Sequence, residues 1–157
     1  MTFQVISLVK KFFRLSRHDR SILLEATLWL AVASLAIAVL PFRQVGRLAS
    51  RPIKRPEPSP TVRSIEVKRI RQALGVSASR VPFRAVCLQQ GLAAQFMLRR
   101  RGIPSVLYYG AALDNGSGLS AHVWVRDGDV DVIGCEMASR YTQLAAFPPA
   151  RQEGSRL

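Results

Sequence analysis

Cysteine, histidine and acidic residues are all scarce in this 157-residue chain, and each shortage excludes a class of protein. The two cysteines, Cys87 and Cys135, are too few for a disulfide scaffold and lack the paired spacing of a zinc site, so no metal or cofactor is expected. The two histidines are His18 and His122, and His18 lies in a basic stretch with no recognisable partner. Since no cleavable secretion signal is recognisable either, we expect a reducing, cytoplasmic compartment.

The shortage of acidic residues gives the chain a net charge of +13, from 23 Lys and Arg against 10 Asp and Glu. Residues 1–80 hold 15 of the basic residues and 4 of the acidic ones, whereas residues 81–157 are nearly balanced. Such a basic half favours acidic peptide, anionic lipid or nucleic acid as a partner. The alternative is that the charge has no specific partner and only keeps the chain soluble.

A proline-rich segment divides the chain. Residues 51–60 contain four prolines and are predicted to form a linker, because proline fixes φ and lacks an N–H donor. Residues 1–50 are predicted to be a basic and apolar helical region, and residues 61–157 to form the remaining domain. Within the first region, residues 21–40 are largely apolar but short for a membrane span, so a buried or membrane-surface helix is favoured over a spanning one.

The second region has the pattern of an α+β fold. A helix is predicted from Thr61 to a stop at Gly75 and another over residues 87–101. Strands are predicted over 105–113, 119–126 and 129–134, with a two-residue turn between the last two. A helix followed by an antiparallel meander is an α+β layout.

Cys87, His122 and Asp131 offer a nucleophile, a base and an orienting carboxylate in that order. Cys87 opens a predicted helix, and a helix N-terminus stabilises a thiolate. The alternative is that Cys87 is a buried, inert cysteine and that Asp131 is a solvated strand carboxylate. If the three side chains converge, the chain is an acyl-transfer enzyme with a thiolate nucleophile.

The predicted hairpin register brings two of these side chains together. With Asp127 and Gly128 as the turn residues, Trp124 lies opposite Asp131 and His122 lies opposite Ile133. Asp131 is then a diagonal neighbour of His122 on one face of the sheet, where it can hold the imidazole in one tautomer.

Four further residues are candidates for accessory roles. Trp124 is predicted to form a wall of the site, with an ordinary core aromatic as the alternative. Gln90, one helical turn after Cys87, is predicted to donate to an oxyanion or to substrate backbone, with a surface glutamine as the alternative. Glu136 is the reserve acid, and Cys135 is interpreted as structural.

Three stretches carry a resemblance to a known family: CLQQGLAAQFMLRRRGIPSVLYYG, AHVWVRDGDVDVIGCE and RYTQLAAFPP. Residues 81–148 closely resemble the B protein of lasso-peptide maturation, whose peptidase domain is transglutaminase-like. Gly91 takes the place of the alanine that is usual in that family, a change expected to be harmless apart from a small effect on helix propensity.

The resemblance implies a transglutaminase-like or papain-like cysteine peptidase that uses Cys87, His122 and Asp131 to cut the leader from a ribosomally made lasso precursor peptide. It implies no cofactor and no nucleic-acid partner. Its implied partners are the precursor's leader and core, an asparagine-synthetase-like cyclase, and a separate leader-recognition protein, since residues 1–80 lack the hairpin of the fused recognition module. Peripheral membrane contact through residues 21–40 is compatible with this interpretation.

Two other functions stay open at this point. A transglutaminase-type acyl transferase would use the same triad with a different acyl acceptor. A non-catalytic basic adaptor would instead bind peptide or membrane through residues 1–80.

Overall fold

The structure is a computed structural model that describes residues 16–83, 85–114 and 118–149. Residues 1–15 of the predicted N-terminal helical region lie outside the described residues. The described helices are α1 (Arg17–Val39), α2 (Phe42–Ala49), α3 (Pro60–Ala78) and α4 (Cys87–Arg100). The strands are β1 (Val106–Asp114), β2 (Gly118–Asp127), β3 (Val130–Ile133) and β4 (Thr142–Phe147), with a 3-10 helix (Cys135–Arg140) between β3 and β4.

The strands form one antiparallel sheet in the order β3-β2-β1-β4. The first three strands are the predicted meander, and β4 adds a strand that the sequence did not predict by pairing with β1 at the other edge. Helices α3 and α4 contact the sheet, and α1 packs against both of them. The predicted α+β class, with a helix on a small antiparallel sheet and an N-terminal helical extension, is confirmed.

One core joins the helices to the sheet. Its fully buried side chains come from α1, α3, α4, β2 and β3 and include Leu30, Ile70, Leu74, Leu92, Met97, Val125 and Val132. Residues 51–59 connect α2 to α3 without helix or strand. Residues on both sides of the proline-rich segment therefore contribute to the same core.

Helix α3 is longer than predicted. It begins at Pro60, a residue well suited to the first helical position, and continues through Gly75 to Ala78. Its buried residues Ile70 and Leu74 pack against α1 and α4, and this packing outweighs the roughly 1 kcal/mol that a mid-helix glycine costs. The predicted stop at Gly75 was therefore wrong.

An ionic cluster at the end of α4 fastens three helices together. Arg101 donates to both carboxylate oxygens of Glu25 on α1, at 3.0 and 2.7 Å, and to Glu66 on α3 at 2.6 Å. All three side chains are mostly buried. This cluster fixes one face of α1 against α3 and α4. By length and composition alone, α1 is apolar enough to cross a membrane.

Candidate active site

Helix α4, which begins at Cys87, packs on one face of the sheet. Near the C-terminal end of α4, the amide nitrogen of Gln95 donates to the carbonyl of Ser105 at 3.1 Å and to that of Phe147 at 2.5 Å, over β1 and β4. One turn earlier, Gly91 faces Leu107, Val123 and Val125 on β1 and β2. Cys87 lies one further turn toward the N-terminus, on the same side of the helix, and α4 also contacts β3.

The approach of α4 to β2 depends on Gly91. A Cβ atom at this position would lie 2.7 Å from Cγ1 of Val123, closer than carbon atoms pack. The absence of a side chain at Gly91 therefore allows the helix to lie this close to β2, and no clash contradicts the expectation that glycine is harmless here. The nucleophile candidate is set on a helix pressed against the strand that carries His122.

Cys87 is the first residue of α4, and its thiol is free and half-buried. The preceding residue, Val86, makes no side-chain capping bond. The N–H groups of a first helical turn have no partner within the helix, so they present a partial positive charge to a negative group. This is the environment that the sequence predicted for a nucleophilic thiolate.

His122 lies on the other face of β2. Val123 faces α4, and side chains alternate along a strand, so His122 and Trp124 point away from α4. The His122 ring packs between Tyr141, with centroids 5.0 Å apart, and Trp124, at 6.2 Å. Trp124 is only 5% exposed and stacks on Tyr108 on its other side. Its predicted position beside His122 is observed, and the contact of His122 with Tyr141 had no signal in the sequence.

One ring nitrogen of His122 is held by the main chain. Nε2 lies 2.7 Å from the carbonyl oxygen of Gly134. Because a carbonyl oxygen only accepts hydrogen bonds, Nε2 must carry the proton, which leaves Nδ1 as the basic nitrogen of the neutral ring. The main-chain carbonyl thus fixes the tautomer, a role that the sequence had assigned to a carboxylate.

The conformation of Gly134 explains why this carbonyl reaches His122. Its φ is +73°, and a Cβ atom would lie 2.5 Å from the carbonyl oxygen of Val123 and 3.3 Å from Nε2 of His122. Both the left-handed backbone and the close approach require glycine. Gly134 directly follows β3. A glycine at the end of a predicted strand was the sequence signal that could have pointed to this position.

The predicted hairpin register was wrong. The turn residues are Gly128 and Asp129, and β2 pairs with β3 through Asp127 opposite Val130 and Arg126 opposite Asp131. Asp127 leaves the turn because its buried carboxylate accepts a hydrogen bond from Nε of Arg63 on α3 at 2.6 Å. A tertiary ion pair therefore outweighs the local preference of Asp-Gly for a turn.

The observed register separates Asp131 from His122. Asp131 lies opposite Arg126, four residues along β2 from His122, which is roughly 13 Å at about 3.3 Å per residue. Its half-exposed carboxylate accepts from Nε of Arg126 at 2.9 Å. The predicted contact between Asp131 and His122 is therefore not present, and a catalytic role for Asp131 stays a prediction without that support.

The other candidate side chains have partners of their own. The Gln90 amide nitrogen donates to the carbonyl of Ala85 at 2.6 Å, so it braces the segment entering α4. The Glu136 carboxylate accepts from Arg71 at 2.8 Å in an exposed pair. The Cys135 thiol donates to the carbonyl of Val125 at 3.2 Å, and burial, aided by the nearby Asp131 charge, raises its pKa. These contacts agree with the structural interpretation of Cys135.

The structure thus assembles the two halves of a thiol–imidazole site without joining them. Cys87 begins the helix that packs on the Val123 face of β2, whereas His122 points from the opposite face, and no hydrogen bond links them among the residues described. Catalytic hydrogen bonds often form only when substrate binds. Within the described part of the chain, no group of three or more His, Cys, Asp or Glu residues is placed to hold a metal ion.

Comparison with protein families gives a match over most of the chain. A family model described as the transglutaminase-like superfamily matches residues 27–146, most of the chain. The match begins within α1 and ends within β4, so it includes Cys87, His122 and Gly134. No curated protein and no solved structure shows a significant match.

Proposed function

The chain belongs to the transglutaminase-like superfamily, and from that premise we propose that it is a cysteine peptidase that removes the leader from a lasso-peptide precursor. The superfamily covers cysteine peptidases and acyl transferases, and both use a thiolate to form an acyl-enzyme. The observation that carries the proposal is a free cysteine at the first residue of α4, the helix packed on the strand that carries His122. The leader-peptidase assignment rests on the sequence resemblance of residues 81–148.

The first half of the reaction would form a thioester. This step requires Cys87 and His122, which make no contact in the structure, to meet when substrate binds. Nδ1 of His122 then takes the proton of Cys87, and the thiolate attacks the carbonyl carbon at the junction of leader and core. The negative oxygen of the tetrahedral intermediate is stabilised by N–H groups at the start of α4. The intermediate collapses, the C–N bond breaks, and the core departs as an amine that takes the proton from the imidazolium.

The second half would regenerate the enzyme. His122 takes a proton from water, the resulting hydroxide attacks the thioester, and the Cys87 thiolate leaves. The leader departs with a free carboxyl group. The Gly134 carbonyl keeps the proton on Nε2 throughout, so that the same nitrogen, Nδ1, acts as base and then as acid. A cyclase and a separate leader-recognition protein are the partners that this function would require.

Mass spectrometry of the cognate precursor, with the full-length protein and any required leader-recognition protein, tests the proposal. Hydrolysis gives two fragments whose summed mass exceeds that of the precursor by one water. We expect Cys87→Ala and His122→Ala to abolish the fragments, whereas the matched control Cys135→Ala retains them. Cleavage that survives either of the first two changes would contradict the proposed mechanism.

The same measurement separates the alternatives. Loss of ammonia from the precursor, without fragments, would identify an acyl transferase, which the superfamily also contains. An unchanged precursor, together with slow alkylation of Cys87, would favour a non-catalytic adaptor.

A further inference from the structure

Helix α1 has two apolar faces, and only one of them is used by the fold. The inner face buries Ile22, Ala26, Leu30 and Ala33 against α3 and α4. The outer face exposes a stripe of large side chains at spacings of three and four residues: Leu24, Leu28, Val32, Leu35 and Val39. Single exposed apolar residues are common, but a continuous stripe of this kind marks an interaction surface.

The stripe is long and free of acidic groups. From Leu24 to Val39 it extends about 22 Å at 1.5 Å per residue. Of the two acidic residues of α1, Asp19 lies in the first turn, before the stripe begins, and Glu25 is paired with Arg101. A partner at this stripe therefore meets apolar side chains with no carboxylate among them.

Exposed basic residues precede and follow the stripe along the chain. Arg17 opens α1 and is exposed, and it lines a shallow pocket with Arg20, Ser21 and Leu24, the first residue of the stripe. Beyond the other end, Arg43 and Arg47 are exposed on α2. An apolar strip with cations before and after it along the chain fits a helix that lies flat on an anionic lipid surface, its side chains among acyl chains and its guanidinium groups near phosphates.

We propose that this outer face of α1 is a docking surface for an anionic lipid bilayer. Charge decides between the candidate occupants, because 23 basic residues against 10 acidic ones attract an anionic membrane and repel a second copy of the chain. The inner face also excludes a spanning arrangement, because insertion of α1 would unpack Leu30 and break the bond between Arg101 and Glu25. The protein thus lies on the membrane.

Vesicle flotation of the full-length protein tests this surface. We expect binding to vesicles of equal parts phosphatidylcholine and phosphatidylglycerol, weaker binding at high salt, and little binding to phosphatidylcholine alone. Leu35→Glu, at a position 64% exposed, should weaken binding by at least about tenfold. The matched control is Leu144→Glu on β4, 63% exposed, which should bind like the wild type.

A second variant keeps the apolar stripe intact. Replacing Arg43 and Arg47 with glutamine should weaken binding about fivefold for each charge removed. Equal binding by wild type and Leu35→Glu, or no preference for anionic vesicles, would overturn the proposal. So would a dimer in analytical ultracentrifugation that Leu35→Glu dissociates, because the occupant would then be a second copy. Vesicle binding is measured without precursor peptide, so its outcome is independent of the proposed peptidase activity.

Discussion

The carbonyl oxygen of Gly134 lies 2.7 Å from Nε2 of His122 and fixes which nitrogen of the imidazole carries the proton. In cysteine and serine hydrolases this task usually falls to the side chain of the third triad residue. Here the main chain performs it, and the left-handed conformation of Gly134 aims the carbonyl at the ring.

Replacing Gly134 with alanine should therefore impair catalysis as well as stability. The new Cβ would press on the carbonyl of Val123 and on the His122 ring and would strain a residue with φ of +73°. We expect at least about a tenfold loss of kcat and an altered pH–rate profile, because the imidazole loses its fixed tautomer. Nitrogen NMR of His122, which distinguishes the tautomers, checks the cause directly.

Gly75→Ala is the control for the previous change. Gly75 is inside α3 and a Cβ there meets nothing within 4 Å, so alanine should stabilise the protein by about 0.5–1 kcal/mol and leave activity unchanged. A Gly134→Ala enzyme with wild-type kcat and pH profile would show that the carbonyl does not position His122.

Asp131→Asn tests whether a carboxylate takes part. Asp131 pairs with Arg126 at the surface, roughly 13 Å along the sheet from His122, so we expect kcat within about twofold of the wild type. Stability should change by less than about 1 kcal/mol, since half-exposed ion pairs contribute little. A large loss of kcat with unchanged thermal stability would restore Asp131 to the triad.

The sequence predicted the elements of this site better than their pairing. Cys87 at a helix start and His122 on the second strand were correctly placed, because hydrophobic periodicity and turn residues are local signals. The register was missed since it depends on Arg63, which lies 64 residues from Asp127 and draws that residue out of the turn. No local pattern contains such a contact. Strand β4 was missed for the same kind of reason, as it is ordered by pairing with β1.

Alkylation should distinguish the two cysteines. Burial raises the pKa of Cys135 and its thiol donates to the Val125 carbonyl, so near neutral pH it stays protonated and slow to react. We expect limiting iodoacetamide to label Cys87 first, as read by peptide mapping, and to abolish cleavage in step with that labelling. Preferential labelling of Cys135 would contradict the assignment of the nucleophile.

Acid should weaken the fold through Glu25. Burial alone would raise the pKa of Glu25, but hydrogen bonds and charge from Arg101, with the charge of Arg100, outweigh it and hold the pKa below its ordinary value. A carboxylate of this kind stabilises the folded state above its unfolded pKa, and that stabilisation is lost as pH falls through the folded pKa. Thermal melts of Glu25→Gln should show about 2 kcal/mol lower stability at neutral pH and a smaller difference from wild type below about pH 4.

The exposed pair of Glu136 and Arg71 provides the comparison. Glu136→Gln should change stability by less than about 1 kcal/mol at neutral pH. If Glu25→Gln and Glu136→Gln lose the same stability on acidification, the ionic cluster around Arg101 is not the cause of the acid sensitivity of the fold.

The proline-rich segment, residues 51–59, contributes little to the contacts that hold α1 against α3 and α4. Helix α1 and its partners α3 and α4 share buried side chains, the Arg101–Glu25 pair, and a 3.2 Å hydrogen bond between Thr27 and Ser77, all formed across residues 51–59. A chain severed in that segment would therefore yield two pieces that recognise and hold each other. The fold is therefore suited to fragment complementation, because its core does not require an unbroken chain at residues 51–59.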